Sequence, residues 1–128
     1  MADRVLLDAD VLIDYLRDVP EAVAYLESIE GVLFVSVITV AELYAGVREG
    51  RERAKLDAFI NAFDIVPVDR EVAVKAGLYR RDYGKSHDTG LADAPLAATA
   101  EARKARLVTL NKKHFPMLPD VIVPYRKA

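Results

Sequence analysis

Five short apolar runs alternate with helical patterns along this chain, and the alternation limits the folds that it can adopt. The predicted strands cover residues 4–7, 33–37, 65–68, 107–110 and 121–123. Apolar residues at helical spacing occupy the intervals between them. Strands that alternate with helices favour a parallel sheet, because parallel strands need crossover connections. We therefore predict an α/β fold whose mostly parallel central sheet is covered by helices on both faces.

The composition is that of one soluble domain spanning residues 1–128, with 52% hydrophobic and 30% charged residues. The absence of cysteine excludes disulfides and cysteine-based zinc sites. Two histidines are too few and too scattered for a zinc enzyme site. No apolar run approaches the length of a membrane span, and no signal peptide is visible. We expect a cytoplasmic protein that does not associate with membranes.

Capping residues predict where two of the helices begin. Asp10 is placed as the N-cap of a first helix that starts at Val11. Thr39 is placed as the cap of a later helix, and Glu42 completes a capping box with it. Residues 84–90 are polar and glycine-flanked, and we expect them to form a mobile loop near the functional site.

Three acids and one amide are predicted to meet at one edge of the sheet. Asp8 follows the first strand, Glu42 lies early in the helix after the second, and Asp93 opens a later helix. Asn111 follows the strand at 107–110. In open α/β sheets, ligands bind beyond the carboxyl ends of the strands. Carboxylates converging there fit a hard divalent cation, because Mg²⁺ takes oxygen ligands and keeps several waters.

Each of these residues also has a purely structural interpretation. Asp8 is suited to a turn and Asn111 to a loop, while Glu42 fits the capping box. An acid at the start of a helix, such as Asp93, is favoured by the helix dipole. Helix caps alone do not require every acid to lie at the same sheet edge, so the metal site explains the pattern better.

The charge balance argues weakly against a non-specific nucleic-acid binder, since the net charge is −2 with 18 basic and 20 acidic residues. If bound metal neutralises the predicted acid cluster, the remaining surface is slightly basic. Three basic groups then become candidates for holding a nucleic-acid backbone, although each is also typical of a solvated helix face: Arg80, Arg81 and Lys85; Arg103, Lys104 and Arg106; Lys112 and Lys113.

Four segments of the chain resemble the motifs of PIN domains, in the same order. They are residues 7–14 (LDADVLID), 39–46 (TVAELYAG), 92–100 (ADAPLAATA) and 107–115 (LVTLNKKHF). The small size and the last motif most resemble VapC toxins of type II toxin–antitoxin modules. The resemblance implies an Mg²⁺-dependent endoribonuclease, usually homodimeric and inhibited by a VapB-type antitoxin.

By the same resemblance, Asp8, Glu42 and Asp93 are the acidic metal ligands, and Mn²⁺ is expected to substitute for Mg²⁺. Asn111 stands at the fourth catalytic position and is expected to act through a water. Three residues depart from the usual pattern: Ala9 replaces a hydroxyl residue, Pro95 an aliphatic residue and His114 a frequent acid. None of them removes an acid of the core set.

The predicted reaction is hydrolysis of RNA phosphodiesters by metal-activated water, with no histidine or lysine base expected at the site. One alternative is a haloacid-dehalogenase-like phosphatase, because Asp8-Ala9-Asp10 fits an Asp-x-Asp signature with Asp8 as nucleophile. A second alternative is a non-catalytic PIN fold kept as a binding module. For the homodimer, a candidate surface is the apolar stripe of Leu56, Phe59, Ile60 and Phe63, which is also typical of core.

Overall fold

The structure is a computed structural model that describes residues 3–126, and it consists of a parallel sheet packed between helices. Its elements follow in the order β1 (Asp3–Leu7), α1 (Ala9–Leu16), α2 (Pro20–Ser28), β2 (Gly31–Ser36), α3 (Val37–Ala45), α4 (Arg51–Ile60), β3 (Asp64–Val66), α5 (Arg70–His87), α6 (Asp93–Arg103) and β4 (Arg106–Val108). A short 3₁₀ helix at Lys112–His114 follows β4.

The four strands lie in the order β3-β2-β1-β4, and all their pairings are parallel. Side chains of the central strand β1 alternate between two hydrophobic clusters. Val5 and Leu7 belong to a cluster with α1 to α4, whereas Leu6 belongs to a cluster with α6 and β4. Because successive strand residues face opposite sides of a sheet, helices cover both faces. The predicted α/β architecture is confirmed.

Some element boundaries differ from the sequence prediction. β2 begins at Gly31, whose φ of +137° and close approach to Asp3 leave no room for a side chain. α5 continues to His87, so the predicted loop at 84–90 is wrong over its first half. Asp88 ends α5 in the left-handed conformation, a task that glycine usually performs. In place of the last predicted strand, only Ile122 bridges to β4.

The apolar stripe proposed as a dimer surface belongs mainly to the core. Leu56 is 3% exposed, and the other three residues pack against the same cluster. The Phe59 ring stacks on Tyr15 with centroids 5.3 Å apart, and Phe63 contacts Phe59 edge-on. The core interpretation of this stripe is therefore confirmed, and the homodimer stays a prediction from the resemblance.

Across residues 3–126, no helix is both long and apolar enough to cross a membrane. The cytoplasmic location expected from the sequence stays a prediction.

Candidate active site

The carboxyl edge of the sheet brings the ends of β1 and β4 together. Leu7 pairs with Val108, so the residues that follow them, Asp8 and Thr109, lie side by side. The backbone N–H of Asp8 donates to the Val108 carbonyl at 3.0 Å, which extends the pairing beyond β1. Since β1 continues directly into α1, the Asp8 carboxylate lies where open α/β sheets bind their ligands.

Asp8 is buried, and both oxygens of its carboxylate accept hydrogen bonds. Oδ1 accepts from the Ala9 N–H at 2.7 Å, and Oδ2 accepts from the Thr109 hydroxyl at 2.8 Å. Burial and then repulsion from Asp10 raise the pKa of Asp8 to about 7, with a smaller contribution from Glu42. The two hydrogen bonds lower that pKa only in part. Ionisation of Asp8 is therefore costly unless a positive charge is close.

Thr109 is a site residue that the sequence analysis did not single out. Its side chain is fully buried, and its hydroxyl donates to Asp8 while accepting from the Asn111 N–H at 3.1 Å. The resemblance expects a hydroxyl at position 9, where this chain has Ala9. Thr109 supplies a hydroxyl to Asp8 from a distant part of the chain instead. The signal in the sequence was a threonine within an apolar run, two residues before Asn111.

Asp10 connects α1 to the segment after β4 through hydrogen bonds. Its Oδ2 accepts from the Leu110 N–H at 2.9 Å and from the Asn111 side-chain amide at 3.2 Å. Its predicted role as N-cap is wrong, because α1 starts at Ala9 with Asp8 as the cap. Burial raises the pKa of Asp10, and the backbone hydrogen bonds from Leu110 and Val11 oppose the increase. Asn111 therefore reaches the site through Asp10.

Glu42 lies on α3, and the capping box predicted for it does not form. The helix begins at Val37 with Ser36 as the cap, so Thr39 and Glu42 are both interior helix positions. The Glu42 carboxylate accepts no hydrogen bond within residues 3–126 and lies at the exposed rim of the site. Partial burial raises its pKa, and the charges of Asp93 and Asp10 raise it further. The Glu42 carboxylate is thus repelled by other acids of the site, and no hydrogen bond within residues 3–126 holds it in place.

Asp93 opens α6, as predicted, and is held by one carboxylate oxygen. Its Oδ2 accepts from the Gly90 N–H at 2.9 Å and lies 3.3 Å from His114 Nδ1. The turn after β4 brings His114 to Asp93. The expectation that no histidine or lysine base acts at the site stays a prediction. Pro95 is accommodated in the first turn of α6, where an N–H has no helical partner. The helix that presents Asp93 is regular in spite of this departure.

The residue chemistry of this edge fits a hard divalent cation. Burial and the charges of neighbouring acids raise the pKa of Asp8 and Glu42. The Thr39 hydroxyl, one helical turn before Glu42, is buried without a hydrogen-bond partner in the described chain. As placed, however, no three histidine, aspartate or glutamate side chains of residues 3–126 converge closely enough to share an ion. Because the Glu42 side chain has no hydrogen bond to break, it is the one that can most easily move close enough to the other acids to share an ion with them.

The PIN domain family model matches residues 5–119, which is most of the chain. The chain belongs to the PIN domain family. Among curated relatives, it is 39% identical to Ribonuclease VapC10 of Mycobacterium tuberculosis, over 94% of this chain and 92% of that protein. It is 38% identical to Ribonuclease VapC19 of the same organism, with coverages of 94% and 98%.

Solved structures show the same relationship. A toxin–antitoxin complex from Klebsiella pneumoniae contains a chain that matches with a TM-score of 0.84 and 27% identity. The match covers 96% of this chain and 99% of that one. The resemblance to PIN domains, and within them to VapC proteins, is confirmed. These matches favour the nuclease interpretation over the haloacid-dehalogenase-like alternative.

Proposed function

We propose that this protein is a Mg²⁺-dependent endoribonuclease and the toxin of a VapBC-type toxin–antitoxin module. Its relatives are named ribonucleases, and structural neighbours come from toxin–antitoxin complexes. The observation that carries the catalytic part of the proposal is the mutual repulsion of the acids at the sheet edge. Burial, together with the charges of nearby acids, raises the pKa of Asp8, Asp10 and Glu42. A bound cation would offset this cost of ionisation.

In this proposal, Asp8, Glu42 and Asp93 hold the metal ion, and Asn111 acts through a water. The ion, Mg²⁺ or a substituting Mn²⁺, would supply Lewis-acid polarisation of the phosphate and activation of water. Asp10 does not need to touch the ion, because its Oδ2 already holds the Asn111 amide and the backbone after β4. Its role is to fix Asn111 relative to Asp8.

The substrate is proposed to be RNA that is unpaired at the cleaved bond, since proteins reach RNA bases mainly in single-stranded loops. Lys112 and Lys113 follow Asn111 directly, and neither side chain forms an ion pair or hydrogen bond within residues 3–126. They are free to contact phosphates beside the site. By contrast, Arg81 is paired with Asp82 at 2.9 Å, so the group on α5 is less suited to this task.

Cleavage of RNA by the purified protein should stop in EDTA and return with Mg²⁺ or Mn²⁺. Glu42→Gln should lose activity by at least about tenfold, because the change removes a ligand charge worth more than 1.4 kcal/mol to the transition state. Cleavage rates on a single-stranded RNA measure both effects. Glu27→Gln on the exposed face of α2 is the matched control.

Near-normal cleavage by Glu42→Gln would remove Glu42 from the site. An absence of both cleavage and metal binding in the wild-type protein would instead favour the non-catalytic PIN module. Accumulation of a phosphoryl-aspartate would favour the phosphatase alternative.

A groove of about 660 Å³ between α1, α3 and α4 is proposed to receive the antitoxin. Its floor is apolar, with Ile13, Leu16, Leu43, Val47 and Leu56, and its rim carries the cations Arg17, Arg48, Arg51 and Lys55. The three arginine side chains have no ion-pair partner in the described chain. An antitoxin segment with apolar and acidic side chains is complementary to this surface. Because Glu42 lines one end of the groove, a docked segment would also cover an acid of the site.

We expect a small reading frame next to this gene to encode the antitoxin. Its protein should copurify with the chain and inhibit cleavage. Reversing two rim charges, with Arg48→Glu and Arg51→Glu together, should weaken that complex at least tenfold, because each change replaces attraction with repulsion. Calorimetry of the purified pair measures the loss, and Arg80→Glu on α5 is the control. Equal affinity in the double variant would place the antitoxin on another surface.

A further inference from the structure

We propose that His114 is a positioning residue that holds the Asp93 carboxylate with one oxygen engaged and the other free to bind the metal ion. The inference rests on the proposed function, since it assigns a task to a residue beside a proposed ligand. It concerns a position at which this chain departs from the acid that is frequent in PIN domains.

The two oxygens of Asp93 have different surroundings. Oδ2 accepts the Gly90 N–H at 2.9 Å and lies 3.3 Å from His114 Nδ1. Oδ1 accepts no hydrogen bond from residues 3–126. The Gly90 N–H and the His114 ring nitrogen both lie against Oδ2, so rotation of the carboxylate would exchange its oxygens and lose both contacts. Oδ1 is therefore presented as a single, preorganised ligand atom.

The His114 backbone is held in place from three sides. Its N–H donates to the Asn111 carbonyl at 3.0 Å, within the 3₁₀ helix. Its carbonyl accepts the Thr89 hydroxyl at 2.7 Å, and Thr89 is only 1% exposed. The next residue, Phe115, is buried in the hydrophobic core. The ring is half-buried, so its position follows from a fixed backbone and a restricted side chain.

This arrangement also gives a function to the segment after α5, which the sequence analysis expected to be mobile. Thr89 and Gly90 are consecutive, and they contact the two partners of one pair: Thr89 binds His114, while Gly90 binds Asp93. The segment therefore fixes the distance between the histidine and the carboxylate. A β-carbon at Gly90 would lie 3.3 Å from Asp93 Oδ2, so the absence of a side chain there permits the close contact.

In this proposal the donor is a hydrogen on Nδ1, which one neutral tautomer of the ring carries as well as the charged form. The role of His114 in orienting Asp93 consequently requires no net positive charge on the ring. An acid at this position would instead repel Asp93 and leave Oδ2 with a single donor.

The test is metal binding in the absence of RNA, followed by cleavage kinetics. His114→Ala should weaken Mn²⁺ binding, measured by electron paramagnetic resonance and calorimetry, by about 10–100-fold, as loss of a hydrogen-bond partner of a metal ligand typically does. His114→Asn keeps an N–H donor at the same branch of the side chain and should restore most of the affinity. In cleavage assays, His114→Ala should require more Mg²⁺ and leave KM for RNA unchanged at saturating metal.

Two further variants keep the test specific. Thr89→Val removes only the hydroxyl that holds the His114 carbonyl, and it should weaken Mn²⁺ binding in the same direction by a smaller factor. His87→Ala is the matched control, because His87 is the other histidine and contacts Ser86 and Tyr83. It should bind Mn²⁺ as the wild-type protein does.

Unchanged or tighter Mn²⁺ binding by folded His114→Ala would overturn the inference, with tighter binding showing that the ring competes with the ion. Failure of His114→Asn to restore binding would overturn it as well, since the contact would then not depend on the donor. If the wild-type protein bound no Mn²⁺ and cleaved no RNA, the proposed function would fail together with this inference. Wild-type binding with an unaffected His114→Ala variant would reject the inference alone.

Discussion

Asp8→Asn is expected to reduce RNA cleavage by about 10²–10⁴-fold and to leave the protein folded. A metal ligand contributes several kcal/mol to the stabilisation of the transition state, and each 1.36 kcal/mol corresponds to a factor of ten. Folding should survive because asparagine is also a good N-cap and can accept the Ala9 N–H. The measurement is kcat/KM for RNA at saturating Mg²⁺, with circular dichroism of the same samples.

The control for this variant is Asp64→Asn, which removes an exposed acid at the start of β3. It should cleave RNA within about twofold of wild type, because the surface charge lost there is screened by solvent and salt. Near-wild-type cleavage by Asp8→Asn would reduce Asp8 to a helix cap, and the metal site would then need other ligands.

The second large effect is expected in the stability of the metal-free protein as a function of pH. The pKa of Asp8 is raised from 3.8 to about 7 in the folded state. Between these values the folded state holds a proton that the unfolded chain has released, so stability falls as pH rises. Over about three pH units, at 1.36 kcal/mol each, the loss is of the order of 4 kcal/mol.

Asp8→Asn should abolish this part of the pH dependence, because the amide does not titrate. In EDTA, its free energy of unfolding relative to wild type should therefore increase from pH 4 to pH 7. Urea titrations at several pH values measure the difference, and Asp64→Asn should show no such trend. Mg²⁺ at a hundredfold excess over its Kd should return about 2.7 kcal/mol to the wild-type protein at pH 7. A difference independent of pH would show that burial does not perturb Asp8.

The sequence was sufficient to predict the sheet, its parallel strands and the edge at which the acids lie. Asp8 and Asn111 follow apolar runs, and the carboxyl ends of parallel strands must share one edge. The helix that opens at Asp93 was equally clear, because local pattern and capping chemistry act over a few residues. For the same reason, the sequence left Glu42 with two interpretations: the local motif for a capping box was present, and only the observed start of α3 excludes it.

The sequence by itself thus determined the kinds of residue at the site and the elements that carry them. The tertiary structure decided which of those side chains touch: Thr109 donates to Asp8 across 101 positions of the chain, Asn111 reaches Asp10, and His114 contacts Asp93. The pKa of Asp8 also depends on burial and on charges brought close by folding. These contacts could not be read from the chain, because local periodicity specifies strands and helices, whereas the pairing of distant side chains depends on how those elements pack.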